Sequence, residues 1–213
     1  GLAAELNNDA PTNLKSKQII EDLSNAAQRL SKEINNILDI SRLSSGMMSI
    51  KKEWRDIQEL VTECLQRLSP QMTGHNVNLN FYNEDTVYVR LDYALFETAL
   101  RNVLINAATY SPEESTISIS ITNSLQREHI IITISDEGPG ISTQQLHHIF
   151  DKFYRVPGTR PGGTGLGLAI AKAVIEVHGG SIFAQNLNKG GLSVTLSLPL
   201  EEQPVLEREG NNE

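Results

Sequence analysis

Hydrophobic residues near the start of the chain recur every three or four positions, a period typical of a helix. The pattern predicts one long helix over residues 14–46, preceded by a flexible arm at residues 1–13. Its apolar stripe is wider than a surface helix needs, which favours burial in a helical bundle or a dimer seam. A helix packed on its own domain fits the same period. The stripe residues are Ile20, Leu23, Ala27, Leu30, Ile34 and Ile37.

The hydrophobic period changes after residue 46. Runs of period two, which predict strands, now alternate with runs of period three to four, which predict helices. The predicted elements are an extended linker at 47–54, a helix at 57–68, strands at 77–81 and 87–91 joined by a turn at 83–85, a helix at 92–110, a strand hairpin at 117–121 and 130–134, a helix at 166–177, and closing strands at 181–184 and 192–198. This order predicts an α+β fold, a two-layer α/β sandwich in which helices cover one face of a mixed sheet of about five strands. The acidic segment 201–213 is predicted to be disordered.

Composition narrows the classes of partner. The chain has 18 Lys and Arg against 26 Asp and Glu, a net charge of -8, which argues against nucleic acid or an anionic membrane surface. No run approaches the roughly 20 apolar residues of a membrane span, and the first residues lack the layout of a signal peptide. The single cysteine, Cys64, cannot form an internal disulfide and is predicted to be a buried filler, which suits a reducing compartment.

Glycine is distributed unevenly along the chain. Of 15 glycines, 11 lie between residues 138 and 191, which indicates a segment in which backbone must approach closely. Within it, residues 138–172 contain one acid and four bases, so this stretch has a net charge of +3 and the rest of the chain -11. An anion site made of backbone amides and a few cations is therefore predicted inside an acidic chain.

Two asparagines mark the predicted helix at 92–110. Asn102 and Asn106 lie four residues apart and share one helix face with Thr98 and Tyr110. An asparagine amide oxygen is a suitable ligand for Mg²⁺, which also keeps water and phosphate oxygens as ligands. A solvated polar face is the alternative interpretation, and it is the more common one for such a pair.

Three further motifs follow in the glycine-rich part of the chain. DEGPG at 136–140 places an acid at the end of a strand, where a carboxylate can accept an adenine amine, although a plain tight turn is the alternative. GGTGLGL at 162–168 leads into a helix, so its amides can hold phosphate oxygens, and the alternative is a flexible loop. Between them, FDKFYR at 150–155 can anchor a mobile lid or pack in the core.

In this order, the four motifs resemble the ATP-binding catalytic domain of two-component sensor histidine kinases, in the superfamily that also holds the gyrase, Hsp90 and MutL ATPases. The resemblance covers residues 47–200 and implies the Bergerat-type ATP-binding fold. The helix at 14–46, which ends in LDISRLSSG, is similar to the second helix of the family's dimerisation and phosphoacceptor domain. The run FYRVPGTRPGGTGLGLAIAK and the HGG turn at 178–180 are similar to the potassium-responsive (KdpD-like) sensor kinases.

The resemblance implies that Asn106 ligates Mg²⁺, that Asn102 lies beside the phosphates, and that Asp136 binds the adenine amine. It further implies phosphoryl transfer from ATP to a histidine of the parent protein, relay to a response regulator, and a homodimer in the full-length protein. A cytoplasmic location follows, with the parent protein either free or anchored in the bacterial inner membrane. The nucleotide-binding residues that the resemblance assigns are Asn102, Asn106, Tyr110, Asp136, Gly138, Gly140, Ile141, Lys152, Tyr154, Arg155, Gly163, Thr164, Gly165, Leu166, Gly167, Leu168 and Ser193.

Two features depart from the family pattern. Thr109 stands where the family usually has a basic residue directed at the phosphates, and none of the 5 histidines lies in the family's phosphoacceptor box. The chain is therefore expected to bind ATP without phosphorylating itself in isolation. Two alternatives stay open. One is a degenerate nucleotide-binding module without kinase activity. The other is a gyrase- or Hsp90-like ATPase, which is disfavoured because those ATPases have a water-activating glutamate where Asn102 stands.

Overall fold

The computed structural model describes residues 17–24, 27, 38, 50–82, 86–124, 126, 128–159 and 163–202. The predicted arm at 1–13, the helix end at 44–46, the turn at 83–85 and residues 203–213 of the predicted tail lie outside the described residues. Contacts between residues divide the chain into two units, 1–41 and 42–213.

The described residues of the first unit, 17–24, 27 and 38, are helical. Four of their large apolar side chains are exposed, namely those of Ile19, Ile20, Leu23 and Leu38. An apolar helix face that is open to solvent in a single chain is typical of a bundle or dimer seam.

The second unit contains the remaining helices and strands. The strands are β1 (Glu53–Asp56), β2 (Asn76–Phe81), β3 (Tyr88–Leu91), β4 (Thr116–Asn123), β5 (His129–Ser135), β6 (Ser181–Asn186) and β7 (Leu192–Pro199). The helices are α1 (Ile57–Leu68), α2 (Tyr93–Tyr110), α3 (Thr143–Leu146) and α4 (Gly167–Val177), and a 3₁₀ turn, Ser69–Met72, follows α1. In the described part of the chain, no helix is both long and apolar enough to cross a membrane.

Five strands form one mixed sheet in the order β2-β4-β5-β7-β6. β2 runs parallel to β4, while β4 with β5, β5 with β7 and β7 with β6 are antiparallel. The predicted α+β sandwich with a mixed five-stranded sheet is therefore confirmed. The predicted hairpin at 117–121 and 130–134 is also confirmed, with Ile119 opposite Ile134.

Two features in the first half of this unit go beyond the predictions. The predicted strands at 77–81 and 87–91 are both present, but they do not pair with each other: β2 joins the edge of the large sheet, while β3 pairs with β1 in a separate two-stranded sheet. Alternation of side chains identifies a strand but not its partner, which long-range contacts decide. The predicted linker at 47–54 also overlaps β1, whose sequence EWRD has no apolar alternation to reveal it.

The core lies between the helices and one face of the large sheet. Alternate residues of β4 and β5 are fully buried on this face, whereas the serines and threonines between them face the other way. The buried isoleucines are Ile117, Ile119, Ile121, Ile130, Ile132 and Ile134. Cys64 of α1 is buried as predicted, and burial, reinforced by the charge of Glu97, raises the pKa of its thiol to about 12.

Helix α2 begins as the sequence predicts. The Asp92 side chain caps it by accepting the backbone N–H of Leu95 at 3.2 Å, and Ser111 ends it. His178, at the C-terminal end of α4, joins that helix to the start of α2, because its Nε2 accepts the Asp92 N–H at 2.9 Å. Because Nε2 is an acceptor, Nδ1 carries the proton and donates to the Val174 carbonyl at 2.7 Å. The buried imidazole is therefore neutral in the folded protein.

Burial lowers the pKa of His178 from its ordinary value of 6.5, and the positive charge of Lys52 lowers it further. The hydrogen bond to Val174 and the negative charge of Asp92 act in the opposite direction but do not outweigh burial. Because the pKa of His178 is lower in the folded state than in the unfolded state, its neutral ring contributes to stability above about pH 6.5. This contribution is lost as the pH falls from about 6.5 towards the folded-state pKa. We therefore expect the free energy of unfolding of the wild-type chain to decrease between pH 7.5 and 5.5. His178→Gln keeps an acceptor for Asp92 but cannot be protonated, so its decrease should be smaller. Urea denaturation at both pH values measures this, and equal decreases would contradict the assignment.

Candidate functional site

Asp136 lies directly after β5 and its side chain is buried, with 6% of the residue exposed. One carboxylate oxygen, Oδ1, accepts the backbone N–H of Gly138 at 2.8 Å and that of Leu192 at 3.1 Å. The Asp136 N–H in turn donates to the Leu192 carbonyl at 2.9 Å. The side chain therefore fixes the turn after β5 and joins it to the start of β7.

The second oxygen of Asp136, Oδ2, has no hydrogen-bond donor among the residues that the structure describes. Burial raises the pKa of this carboxyl above its ordinary value, and the two backbone N–H groups work in the opposite direction. A buried carboxylate with one satisfied oxygen is an acceptor for a ligand's amino group.

Glycine is required at two positions around this carboxylate. A Cβ atom at Gly138 would lie 2.9 Å from the Tyr110 carbonyl oxygen, so the absence of a side chain lets the turn touch the end of α2. Gly191, in the turn before β7, has φ +97°, and a Cβ there would overlap the Asp136 carbonyl. The structure thus brings the predicted residues Tyr110, Asp136 and Gly138 together.

Asn186 supports the same turn, and sequence reasoning missed it. Its Oδ1 accepts the Ile141 N–H at 2.9 Å, and its Nδ2 donates to the Ile141 carbonyl at 2.5 Å. Gly140, with φ +73°, packs against this amide. An asparagine at the end of a strand is common, and its partner is 45 residues away, so no local pattern revealed the contact.

Asn102 and Asn106 lie on one face of α2 and are both half-buried. The Nδ2 of Asn102 is buried and has no partner among the described residues. Its Oδ1 lies 3.5 Å from the position that a Cβ would take at Gly167, the first residue of α4. The start of α4 therefore rests against Asn102, beside a donor that has nothing to bind within the described chain.

The segment before α4 closes on the FDKFYR motif. The Phe153 N–H donates to the Gly165 carbonyl at 3.0 Å. Gly165 has φ +71°, and a Cβ there would strike the backbone of residues 153 and 154, so both features require glycine. Phe153 itself has φ 66° and is 62% exposed. Thr164 accepts the Leu166 N–H at 3.4 Å. Residues 160–162, including the first glycine of the predicted phosphate box, lie outside the described residues.

The other predicted lid residues differ in exposure. Lys152 and Gly163 are exposed, whereas Arg155 and Leu168 are half-buried. The Tyr154 ring lies 5.4 Å from the His148 ring, centroid to centroid.

Two predicted residues point their side chains away from this site. The Leu166 side chain is buried in the core, so only its backbone could meet a ligand. The Ser193 hydroxyl accepts a hydrogen bond from Ser135 at 3.1 Å, and no hydrogen bond joins it to Asp136. Alternation along β7 explains this, because Val194 faces the core and its neighbour Ser193 faces the opposite side of the sheet.

Two further side chains of α2 bear on the alternative functions. Glu97 lies 2.7 Å from the Arg67 guanidinium of α1, so the acid nearest in sequence to Asn102 is held in an ion pair. The Thr109 hydroxyl donates to the Ile105 carbonyl of its own helix at 2.6 Å. Thr109 therefore offers no cation to the site, and Glu97 is not placed to activate water.

Comparison with known proteins gives the family. Residues 91–202 match the family model of histidine kinase-, DNA gyrase B- and HSP90-like ATPases, and this range contains all the residues assigned above. The mycobacterial sensor histidine kinase MprB has a similar structure, with a TM-score of 0.63 at 28% identity over 71% of this chain and 99% of that one.

Among curated relatives, the sensor histidine kinase WalK of Bacillus subtilis is 32% identical over 84% of this chain and 30% of its own length. The sensor protein KdpD of Escherichia coli is 38% identical over 82% of this chain and 19% of its own length. The chain thus spans less than a third of each of these two relatives, and KdpD is among them as the sequence motifs predicted. The chain belongs to the histidine kinase-, DNA gyrase B- and HSP90-like ATPases, and it contains the ATP-binding catalytic domain of a sensor histidine kinase.

Proposed function

We propose that the site binds Mg-ATP and that the parent protein transfers the γ-phosphoryl group to a histidine side chain, from which it passes to a response regulator. One observation carries this proposal. Among the described residues, the site offers an acceptor without a partner at one end, Asp136 Oδ2, and a buried donor without a partner at the other, Asn102 Nδ2. An adenine nucleotide has the complementary groups, an amine on the base and acceptor oxygens on the phosphates.

Helix α2 sets the distance between these two ends. Tyr110, beside the Asp136 turn, follows Asn102 by eight residues, a rise of about 12 Å along a helix. This span suits an extended nucleoside triphosphate lying along the helix. The base would lie against the glycines of the turn, and the phosphates would lie where α2 meets α4.

The start of α4 supplies the groups that hold the phosphates. The first N–H groups of a helix have no partner within it, and the helix dipole places partial positive charge there. Leu166, at the N-cap, gives α4 no side-chain cap. The Gly167, Leu168 and Ala169 amides are therefore candidates for phosphate oxygens, and Lys152 adds a positive charge on the lid.

Asn106 is the residue that fits Mg²⁺. Its side chain is half-buried on the Asn102 face of α2, and none of the hydrogen bonds within the described chain uses its amide oxygen. No group of three or more His, Cys, Asp or Glu side chains that could hold a metal ion occurs within the described ranges. Mg²⁺ that is bound mainly by phosphate oxygens and water needs only a single neutral ligand from the protein. In that position the ion would neutralise phosphate charge.

The chain's own part in the reaction is to bind and position. The γ-phosphorus to oxygen bond breaks, ADP leaves with the bonding electrons, and a bond from phosphorus to a neutral histidine nitrogen forms. A neutral imidazole already carries a lone pair, so no strong base is needed at the position of Asn102. The Asn102 amide and the α4 amides stabilise the negative charge on the transferred group.

The phosphoacceptor and the dimer belong to the parent protein. We propose that the first unit packs its exposed apolar residues, Ile19, Ile20, Leu23 and Leu38, against a partner helix in a homodimer. The acceptor histidine would lie in that helical domain, since none of the 5 histidines of this chain is in a phosphoacceptor box. The parent protein would meet its response regulator at the phosphorylated histidine.

Replacing Asn106 tests the metal assignment. Asn106→Ala should weaken ATP binding about 10- to 100-fold in the presence of Mg²⁺, because a contact to a charged group is worth about 1.5–3 kcal/mol. Binding of ATP in EDTA should change little. Asn78→Ala, the same chemical change on exposed β2, is the matched control and should bind like the wild type in both conditions. Wild-type affinity of Asn106→Ala in Mg²⁺ would show that the ligand is elsewhere.

Replacing Asp136 tests recognition of the base. Asp136→Asn keeps an oxygen for Gly138 and Leu192 but turns the second position into a donor, which opposes the adenine amine. We expect ATP affinity to fall about 10- to 100-fold, the cost of an unsatisfied buried polar group of about 1–3 kcal/mol. Inosine triphosphate has an acceptor oxygen in place of the amine and should lose much less. Equal losses for the two nucleotides in competition titrations would refute recognition of the amine.

A further inference from the structure

Helix α4 touches α2 at both of its own ends. Its first residue, Gly167, rests against Asn102 in the middle of α2, and His178, which follows its last residue, is joined to Asp92 at the start of α2. Ten residues separate Asp92 from Asn102 and eleven separate Gly167 from His178, rises of about 15 and 16 Å. Helix α4 therefore lies antiparallel to the first half of α2 and contacts it near both of its own ends.

The two ends of α4 are held very differently. Its start is held mainly by packing: the Leu166 side chain is buried in the core, the Gly165 carbonyl accepts the Phe153 N–H at 3.0 Å, and the Leu166 N–H contacts Thr164 at 3.4 Å. Its last turn is tied down by the His178 ring and by the Gly180 N–H, which donates to the Ile175 carbonyl at 2.9 Å. The hydrogen bond that joins α4 to the backbone of α2 therefore lies at its last turn.

His178 is the side chain that seats this turn on α2. It is 2% exposed, and both ring nitrogens are used, one within α4 and one on the backbone of Asp92. The charged groups that face it are Lys52, whose Nζ lies 3.4 Å from the His178 carbonyl, and the Asp92 carboxylate. That carboxylate is already held by the N–H groups of Lys51 and Leu95.

We propose that His178 is a positioning residue for the phosphate end of the nucleotide site. By bonding to the backbone at the start of α2, it fixes the spacing of the two helices, and so keeps the first amides of α4 against Asn102. Packed helices behave as stiff bodies, so a shift at one end is carried to the other. The inference rests on the proposed binding of ATP at this site.

The two ends of the nucleotide should respond differently when the His178 contact is lost. Asp136 is held by strand β7 and by its own turn, and none of its hydrogen bonds involves α4. Loss of the His178 contact should therefore weaken interactions with phosphates while leaving recognition of the base unchanged. A residue that only stabilises the fold would not make this distinction in molecules that remain folded.

A pair of isosteric variants tests the proposal. Asparagine at position 178 can replace Nδ1 as a donor but cannot reach the Asp92 N–H, whereas glutamine can place an oxygen at the position of Nε2. Affinities for Mg-ATP and for adenosine are measured by titration at pH 7.5 below the unfolding transition, with folding checked by circular dichroism. We expect His178→Asn to bind ATP at least about tenfold more weakly, since a displacement of 1 Å can cost up to about 100-fold.

The adenosine titration and the glutamine variant provide the other expected results. Adenosine affinity of His178→Asn should stay within about twofold of the wild type, and His178→Gln should restore ATP affinity. If His178→Asn does not fold, His178→Leu, which fills the volume without an acceptor, takes its place. ATP affinity equal to the wild type in the folded variant, or equal losses for ATP and adenosine, would overturn the proposal. Failure of the wild-type chain to bind ATP would instead overturn the proposed function on which it rests.

Discussion

One oxygen atom, Oδ1 of Asp136, accepts hydrogen bonds from two parts of the backbone, and the site depends on this arrangement. A buried carboxylate is stable only where donors satisfy it, so the Gly138 turn and the start of β7 must converge on it. Glycine at 138 and 191 makes that convergence sterically possible. The same geometry leaves the second oxygen with no donor in the part of the chain that the structure describes, so this oxygen is available as an acceptor for a ligand.

At the phosphate end, short-range attraction by backbone amides has to outweigh the net negative charge of the chain. A chain with a net charge of -8 would repel a nucleotide if charge alone decided binding. In the proposed site, the groups that would meet the phosphates are mainly uncharged, namely backbone amides at the start of a helix and one asparagine, and Lys152 adds a positive charge. Such groups attract phosphate oxygens at short range, while the net negative charge of the chain disfavours longer polyanions such as nucleic acid.

Local patterns in the sequence predicted much of the fold. Alternating isoleucines predicted β4 and β5, and Asp92 predicted the start of α2, because these features follow from neighbouring residues. Strand β1 and the partners of β2 and β3 could not be predicted, since contacts distant in sequence determine them. The same holds for the site. Asp136 and Gly138 stand in a recognisable motif, whereas Asn186 and His178 act through partners 45 and 86 residues away.

The central claim is that this arrangement binds Mg-ATP. Isothermal titration calorimetry of the wild-type chain with ATP, once in Mg²⁺ and once in EDTA, tests it most directly. We predict a single site per chain, with heat of binding in both titrations and tighter binding in Mg²⁺. No heat of binding at millimolar nucleotide in either titration would contradict the claim and would favour a degenerate module that does not use nucleotide.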